Sequence, residues 1–251
     1  MATTPWYRPA WSAPAGVQSA MTTREGGASL PPFCGFNLGD HVGDDPATVA
    51  RHRAQLTQAL GVRAIYLHQV HGTEVVRLDD RTSVAGPLTA DAAITTVPGL
   101  ACTIMVADCL PVLLAHRQGR GVGAAHAGWR GLAGGVVERT VASLADAADA
   151  RPSDLVAWLG PCIGPRRFEV GEEVRAAFLR GQPGADTHFK PGERPGKWWA
   201  DLQGLARDRL SQCGVTEISA EPACTVEDAS RFFSYRRDGR TGRMAALVWL
   251  G

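Results

Sequence analysis

Residues 100–127, LACTIMVADCLPVLLAHRQGRGVGAAHA, contain three short apolar runs separated by polar and glycine residues, and they decide the fold class. The runs are Cys102–Val106, Pro111–Ala115 and Gly121–Ala125, and their length and composition are typical of buried strands. Working outward on both sides, further strands are predicted at Val17–Thr22, Ala64–Leu67, Val75–Leu78, Ala92–Val97, Leu155–Leu159 and Met244–Leu250.

Helical segments lie between some of these strands. Asp45 is a predicted N-cap with Pro46 at the first helical position, and this helix runs to Leu60 and ends at Gly61. Further helices are predicted at Leu132–Ala148, Gly171–Leu179 and Asp201–Cys213, and a surface loop at Arg180–Lys197. Many strands with few helices between them predict an α+β (mixed α/β) fold with mixed sheets.

Length and composition indicate one globular domain. The chain has 251 residues, 45% apolar and 20% charged, which is the balance of a globular protein. It has no internal repeat and no obvious linker, so we expect a single domain over residues 1–251, with an irregular N-terminal segment at 1–15. A formal net charge of +1 argues against binding nucleic acid through a global basic field.

The expected location is the cytoplasm, with no membrane partner. No apolar run approaches the roughly 18 residues of a membrane-spanning helix, and the first residues have no secretory h-region. The six cysteines form no CxxC pair, so we expect free thiols. A monomer is expected because no exposed apolar helix face is evident.

Chemistry-bearing residues are concentrated beside the predicted strands, and a metal site is one interpretation of them. His71, Cys109 and His126 offer two imidazoles and one thiolate, a donor set that suits zinc. Three protein ligands leave a fourth position for water or substrate, as in catalytic sites, where zinc lowers the pKa of a bound water to about 7. Copper is the less favoured alternative, because seven histidines are few for a multicopper centre.

The spacing of these residues leaves other interpretations open. Their separations of 37 and 16 intervening residues are equally compatible with two core histidines and one buried thiol. His68 lies three residues before His71, and we favour His71 as the ligand because the following Gly72 allows close approach.

Two further functional interpretations compete with a catalytic metal. In a cysteine hydrolase, Cys109 is the nucleophile and His126 is its base. In a structural zinc site, Cys162 is a candidate fourth ligand, since such sites normally have four protein ligands.

Two arginine-bearing segments are candidate anion sites. The loop Gly128–Gly131 precedes a helix, where free N–H groups hold anions, and it adds Arg130 as a planar donor and Trp129 as a stacking surface. Residues Arg231–Arg243 contain five arginines interleaved with aromatic residues. The alternatives are a glycine-rich turn with Trp129 in the core and a solvated basic hairpin. Arg24 is a weaker anion candidate.

Several motifs together resemble the YfiH/laccase-domain family over roughly Thr22 to Leu250. They are Thr22-Thr-Arg-Glu-Gly-Gly27, Asn37-Leu-Gly-Asp-His41, His68-Gln-Val-His71-Gly72, Ala107-Asp-Cys109-Leu-Pro111, Ala125-His-Ala-Gly-Trp-Arg-Gly131, Gly160-Pro-Cys-Ile-Gly164 and Phe232-Phe-Ser-Tyr-Arg-Arg-Asp-Gly239. The resemblance implies a single-domain sandwich of mixed sheets flanked by helices. Asp40 departs from the family pattern, which often has a hydrophobic residue at that position, and this affects no proposed ligand.

The resemblance also implies an activity. Family members are described as purine nucleoside phosphorylases acting on adenosine, inosine and methylthioadenosine, with adenosine deaminase activity. Some relatives are linked to peptidoglycan editing, and older names call them polyphenol oxidases. The family's metal site falls on His71, Cys109 and His126.

The expected enzyme therefore has zinc as cofactor, and a purine nucleoside and phosphate as partners. The catalytic residues expected are the three metal ligands and Asp108, a candidate proton shuttle in deamination. The expected substrate- and phosphate-binding residues are Arg24, Asn37, His41, Trp129, Arg130, Arg236 and Arg237.

Overall fold

The computed structural model describes residues 4–82, 88–182 and 184–251. The strands are β1 (Trp6–Tyr7), β2 (Val17–Thr22), β3 (Arg63–His68), β4 (Val75–Leu78), β5 (Leu88–Thr89), β6 (Ala92–Thr95), β7 (Leu100–Val106), β8 (Leu110–His116), β9 (Val122–Ala127), β10 (Leu155–Leu159), β11 (Glu169–Gly171), β12 (Phe189–Pro191), β13 (Lys197–Ala200), β14 (Glu217–Ala220) and β15 (Met244–Leu250). The helices are α1 (Pro46–Leu60), α2 (Trp129–Gly134), α3 (Val136–Ala147), α4 (Glu172–Leu179), α5 (Leu202–Gln212) and α6 (Tyr235–Asp238).

Most strands belong to two six-stranded mixed sheets. The first sheet has the order β1-β2-β15-β7-β3-β5, and the second has the order β14-β10-β8-β9-β6-β4. Each sheet combines parallel pairs, such as β3 with β7 and β4 with β6, with antiparallel pairs, such as β15 with β7 and β8 with β9. A small third sheet has the order β11-β13-β12.

The two large sheets face each other across an apolar core. Ile104 and Val248 of the first sheet belong to the same buried cluster as Leu113 and Trp158 of the second. All four side chains are almost fully buried. The opposite faces of the same strands also carry buried apolar residues, such as Leu247 and Leu114. This arrangement explains why the strand sequences are continuous apolar runs rather than alternating ones.

Helices cover the outer faces of both sheets. Leu56 of α1 packs in one cluster with Ala101 and Leu247 of the first sheet. On the other side, α3 and α5 pack against the second sheet, and Val141 and Leu205 belong to its outer cluster. The fold is therefore a sandwich of two mixed sheets flanked by helices, which confirms the predicted class.

The predicted boundaries of α1 are confirmed, whereas the next predicted helix is interrupted. The Asp45 carboxylate accepts a hydrogen bond from the Thr48 N–H at 2.9 Å, and Gly61 ends the helix at φ 66°. The single helix predicted at Leu132–Ala148 is wrong, because Gly135 adopts φ 97° and separates α2 from α3. Glycine adopts this left-handed conformation without the steric cost that a Cβ imposes.

The surface loop predicted at Arg180–Lys197 is only partly correct. It contains a 3₁₀ turn at Ala185–His188 and strand β12, which pairs with β13. Phe189 supplies the buried side chain that anchors this edge strand. Pro183, which falls within this predicted loop, lies outside the described residues.

Among the described residues, three chain connections cross from the first sheet to the second. They join β3 to β4, β5 to β6 and β7 to β8. These crossings carry His71, Asp91 and Cys109 respectively, so the sandwich brings distant parts of the chain together. Within the described ranges, no helix combines the length and apolar character needed to cross a bilayer.

Candidate metal and substrate site

His71, Cys109 and His126 converge at the crossings between the sheets. Their potential ligand atoms all lie within 4.8 Å of one another. The Cys109 Sγ lies 3.7 Å from the His71 Nε2, and the ring centroids of His71 and His126 are 4.7 Å apart. His126 is the innermost of the three, since it lies in the buried strand β9.

The donor set and its spacing fit a tetrahedral metal ion. Zinc–sulfur and zinc–nitrogen bonds of the usual lengths place two tetrahedral ligands about 3.6 Å apart, close to the observed Cys109–His71 separation. Within the described residues, no fourth His, Cys, Asp or Glu joins the group. Cys162, the candidate fourth ligand, is not a member of this group.

The protein groups alone already favour a thiolate at Cys109. Burial opposes ionisation, but the neighbouring His126 and His71 outweigh burial and lower the pKa of Cys109 to about 6. Burial likewise disfavours the charged form of His126, yet Cys109 and Asp91 raise the pKa of His126 to about 9. At neutral pH the metal-free pair is therefore a thiolate beside a protonated imidazole, and binding of a metal cation has to displace one proton from His126.

Asp91 is a functional candidate that sequence reasoning missed. It is fully buried immediately before β6, and its Oδ1 accepts a hydrogen bond from the His126 Nδ1 at 2.8 Å. Burial opposes its charge, but the bonds from His126 and Gly72 outweigh burial and lower the pKa of Asp91. In the sequence, the one feature that could have pointed to Asp91 is its position directly before the apolar strand β6.

Gly128 packs directly against His71 and Cys109, at a distance that leaves no room for a side chain of its own. A Cβ on this residue would lie 2.8 Å from the His71 Cδ2 and 3.0 Å from the Cys109 Sγ. Both distances are shorter than ordinary carbon–carbon or carbon–sulfur contacts. Glycine is therefore required here because the His71 and Cys109 side chains pack directly against its Cα. Backbone conformation is not the reason, because its φ of −63° is accessible to every residue.

The cluster opens into a pocket of about 410 Å³. This volume is within the usual range for small-molecule sites. The lining also includes three guanidinium groups and several aromatic or aliphatic side chains: Arg130, Arg236 and Arg243, with Met105, Trp129, Ile163, Phe168, Leu202 and Tyr235. Such a lining suits a ligand that combines a planar apolar part with an anionic part.

Five of the predicted residues outside the metal cluster line this pocket: Asp108, His41, Trp129, Arg130 and Arg236. The exposed guanidinium of Arg130 lies 4.4 Å from the centre of the Trp129 ring. Trp129 is half-buried, so it combines a packing role with exposure to the pocket. The stacking holds the arginine at the pocket wall.

Three other predicted residues are absent from the described lining. Arg24 stacks over Phe233, and Asn37 is fully buried, where it donates to the Asp44 carboxylate at 2.8 Å. Arg237 donates to the carbonyl oxygens of Thr225 and Phe232, at 2.8 and 3.0 Å. Their hydrogen bonds hold loops together.

The arginine-rich segment Arg231–Arg243 is helical at its centre rather than a hairpin. The Ser234 hydroxyl accepts a hydrogen bond from the Arg237 N–H and begins α6. Arg243 was not singled out by sequence reasoning, but it enters the pocket half-buried, where burial lowers its pKa. The short helix decides which arginines of the segment face the pocket.

Asp108 connects this helix to the metal cluster. Its carboxylate accepts hydrogen bonds from the Thr225 hydroxyl at 2.6 Å, the Ser234 hydroxyl at 3.0 Å and the Arg236 N–H at 2.6 Å. Both carboxylate oxygens are therefore engaged. This geometry is that of a residue that positions α6, next to the candidate ligand Cys109.

Comparisons with known proteins place the chain among close relatives. The model of a family described as multi-copper polyphenol oxidoreductase laccase matches residues 18–251. A Pseudomonas aeruginosa protein named purine nucleoside phosphorylase is 51% identical over 245 residues, with 98% of each chain covered. An Escherichia coli protein named purine nucleoside phosphorylase YfiH is 46% identical and covers 96% of this chain and 97% of its own.

Solved structures support the same relationship. A Neisseria meningitidis protein has a TM-score of 0.91 at 45% identity, covering 98% of this chain and 99% of its own. YlmD from Geobacillus stearothermophilus has a TM-score of 0.92 at 33% identity, covering 99% of this chain and 97% of its own. The fold described above is thus shared over nearly the whole chain.

Proposed function

The chain belongs to the family described as multi-copper polyphenol oxidoreductase laccase, and from that premise we propose that it is a zinc-dependent purine nucleoside phosphorylase. The observation that carries this proposal is the His71, Cys109 and His126 group at the base of an arginine-lined pocket. The names of relatives at 51% and 46% identity support the activity.

The proposed substrates are adenosine, inosine and S-methyl-5′-thioadenosine, with deamination of adenosine as a second activity. Trp129, Phe168 and Tyr235 present aromatic surfaces on which a purine can stack. Ile163 and Leu202 add apolar surface to the same pocket. A planar base is the part of a nucleoside that such a lining accommodates.

In phosphorolysis, a phosphate oxygen attacks the ribose C1′ while the bond from C1′ to the purine nitrogen breaks. Arg130 and Arg236 are the proposed phosphate-binding residues, because guanidinium groups bind phosphate oxygens in bidentate geometry. Asp108 fixes the backbone of Arg236 and so positions its side chain. Holding both reactants in one orientation supplies much of the expected acceleration.

His71, Cys109 and His126 are the residues that would hold the metal. A bound zinc ion polarises an oxygen or nitrogen atom of its fourth ligand and stabilises developing negative charge. Zinc is favoured over a multicopper centre because the described residues contain a single group of this kind, and the whole chain has seven histidines.

A cysteine hydrolase is the second candidate function. The observation that favours it is the lowered pKa of Cys109 beside His126, which also describes a nucleophile and its base. A structural zinc site is less favoured, because the described group has three members rather than four.

A substrate screen tests the proposal. Protein of measured metal content is incubated with each of the three nucleosides, with and without inorganic phosphate. We expect free purine base and the matching sugar 1-phosphate in equal amounts, and no base release without phosphate. The sugar product is ribose 1-phosphate from adenosine and inosine, and 5-methylthioribose 1-phosphate from S-methyl-5′-thioadenosine. Base release that is independent of phosphate would support hydrolysis instead.

Replacing Arg130 by alanine is expected to raise the KM for phosphate by about 10- to 100-fold, with a smaller change in the KM for nucleoside. The reason is that a hydrogen bond to a charged group contributes about 1.5–3 kcal/mol. Steady-state kinetics with varied phosphate measure the effect. Arg240→Ala is the matched control, since Arg240 donates to the Gly43 carbonyl and lies outside the described lining. Equal phosphate KM values for wild type and Arg130→Ala would contradict the assignment.

A cytoplasmic location and a monomeric state belong to the same proposal. All six cysteines are free, as expected for a reducing compartment.

A further inference from the structure

Asp91 is a buried carboxylate that contacts two of the three members of the His71, Cys109 and His126 group. Its side chain is fully buried between the β3–β4 crossing and strand β9. Its backbone also pairs with both neighbours, because it donates to the Glu74 carbonyl and accepts from the His126 N–H at 2.7 Å. The residue is therefore held rigidly where the two ligand-bearing segments meet.

The first contact orients His126. The His126 Nδ1 lies 2.8 Å from the Asp91 Oδ1, and a carboxylate in this position can only accept a hydrogen bond. The proton of the neutral imidazole is thus held on Nδ1, which leaves the Nε2 lone pair for the metal.

The second contact orients His71. The backbone N–H groups of Val70, His71 and Gly72 all donate to the Asp91 carboxylate, at 3.1, 2.9 and 2.7 Å. His71 adopts φ 61°, a left-handed conformation that is unfavourable for a residue with a Cβ. Three hydrogen bonds to one anion stabilise this turn and aim its side chain at Cys109.

We propose that Asp91 is a positioning residue that assembles the metal centre, by fixing the tautomer of His126 and the turn that carries His71 at the same time. This inference rests on the metal centre of the proposed function. Asp91 is not itself among the residues that line the described pocket, and it reaches the pocket only through His71 and His126.

Asp91→Asn tests the inference because it keeps the size of the side chain while removing its charge. An amide has one acceptor oxygen and one donor nitrogen, so it cannot accept from His126 and from all three backbone N–H groups. Either the turn loses hydrogen bonds or the His126 proton moves to Nε2, and both changes weaken the metal site.

The measurement is zinc affinity, by competition with a chromophoric chelator, on wild-type and variant full-length protein. We expect Asp91→Asn to bind zinc about 10- to 100-fold more weakly. Asp44→Asn is the matched control, because the Asp44 carboxylate also accepts three hydrogen bonds, from Ser29, Asn37 and Asp45, away from the cluster. The Asp44→Asn variant should have the same zinc affinity as the wild type.

The outcomes separate the inference from the proposed function. Equal zinc affinity in Asp91→Asn and wild type would overturn the role of Asp91. If the wild type itself bound no zinc, the proposed metal centre would be wrong.

A second measurement uses the wild type, in case Asp91→Asn does not fold. In zinc-loaded protein, the imidazole ¹⁵N shifts of His126 should show a protonated Nδ1 and a metal-bound Nε2. Metal bound through Nδ1, or an unprotonated Nδ1, would contradict the inference.

Discussion

His71→Ala is expected to abolish stoichiometric zinc binding and to lower phosphorolysis of adenosine by about 10³-fold, since a catalytic metal stabilises charge in the transition state by several kcal/mol. The substitution removes one of three ligands and leaves Cys109 and His126 in contact. Metal analysis of the purified protein and rates of phosphate-dependent adenine release measure both effects.

His68→Ala is the matched control for this prediction. His68 ends strand β3 three residues earlier, is exposed and is not part of the ligand group. It should leave metal content and rate unchanged. The rival cysteine hydrolase makes the opposite prediction for His71→Ala, because its nucleophile and base are both retained. Undiminished activity in the metal-free His71→Ala protein would reject the catalytic metal.

Gly128→Ala is expected to weaken zinc binding by about 5- to 100-fold and to reduce phosphorolysis correspondingly, although it adds a single methyl group. The new Cβ would lie 2.8 Å from the His71 Cδ2 and 3.0 Å from the Cys109 Sγ, so at least one ligand must move. Overpacking of this kind costs about 1–3 kcal/mol, which converts to an affinity loss of up to about 100-fold.

Zinc titration and activity of Gly128→Ala provide the measurement. Gly16→Ala is the matched control, because a Cβ there meets no atom within 4 Å. If Gly128→Ala bound zinc as tightly as Gly16→Ala, the cluster would be less tightly packed than the structure indicates.

The sequence was sufficient to predict nine of the 15 described strands and to single out the three residues that the fold brings together, His71, Cys109 and His126. The short strands β1, β5 and β11–β14 were not predicted. Apolar runs bounded by turn residues identify buried strands without knowledge of their partners. Asp45, Pro46 and Gly61 are local signals, since a cap acts on its own helix. The family resemblance, together with the position of cysteine and histidine at strand ends, was enough to group His71 with Cys109 and His126.

The arginines of the pocket could not be chosen from sequence alone. Arg236 and Arg237 are adjacent, and both guanidinium groups donate to backbone carbonyl groups. Only Arg236 also lines the pocket, because α6 turns the two side chains in different directions. Arg243 reaches the pocket through packing of the chain after α6, and Arg24 stacks on Phe233 instead. Such choices depend on tertiary packing, which has no signal in residue spacing.

Asp91 could not be recognised for a related reason. Its role depends on the crossing between β3 and β4, which brings the N–H groups of Val70, His71 and Gly72 to its carboxylate. Nothing in the segment around Asp91 predicts that contact. By contrast, Gly128 stands in a visible glycine-rich motif, but its close approach to Cys109 needs the structure.

The central claim is that zinc held by His71, Cys109 and His126 is required for phosphate-dependent cleavage of a purine nucleoside. The most direct measurement strips the protein of metal and restores zinc in steps, while the formation of ribose 1-phosphate from adenosine is followed. The account predicts a rate that rises in proportion to bound zinc and saturates at a single equivalent per chain. A full rate in the stripped protein, or cleavage that does not need phosphate, would contradict it.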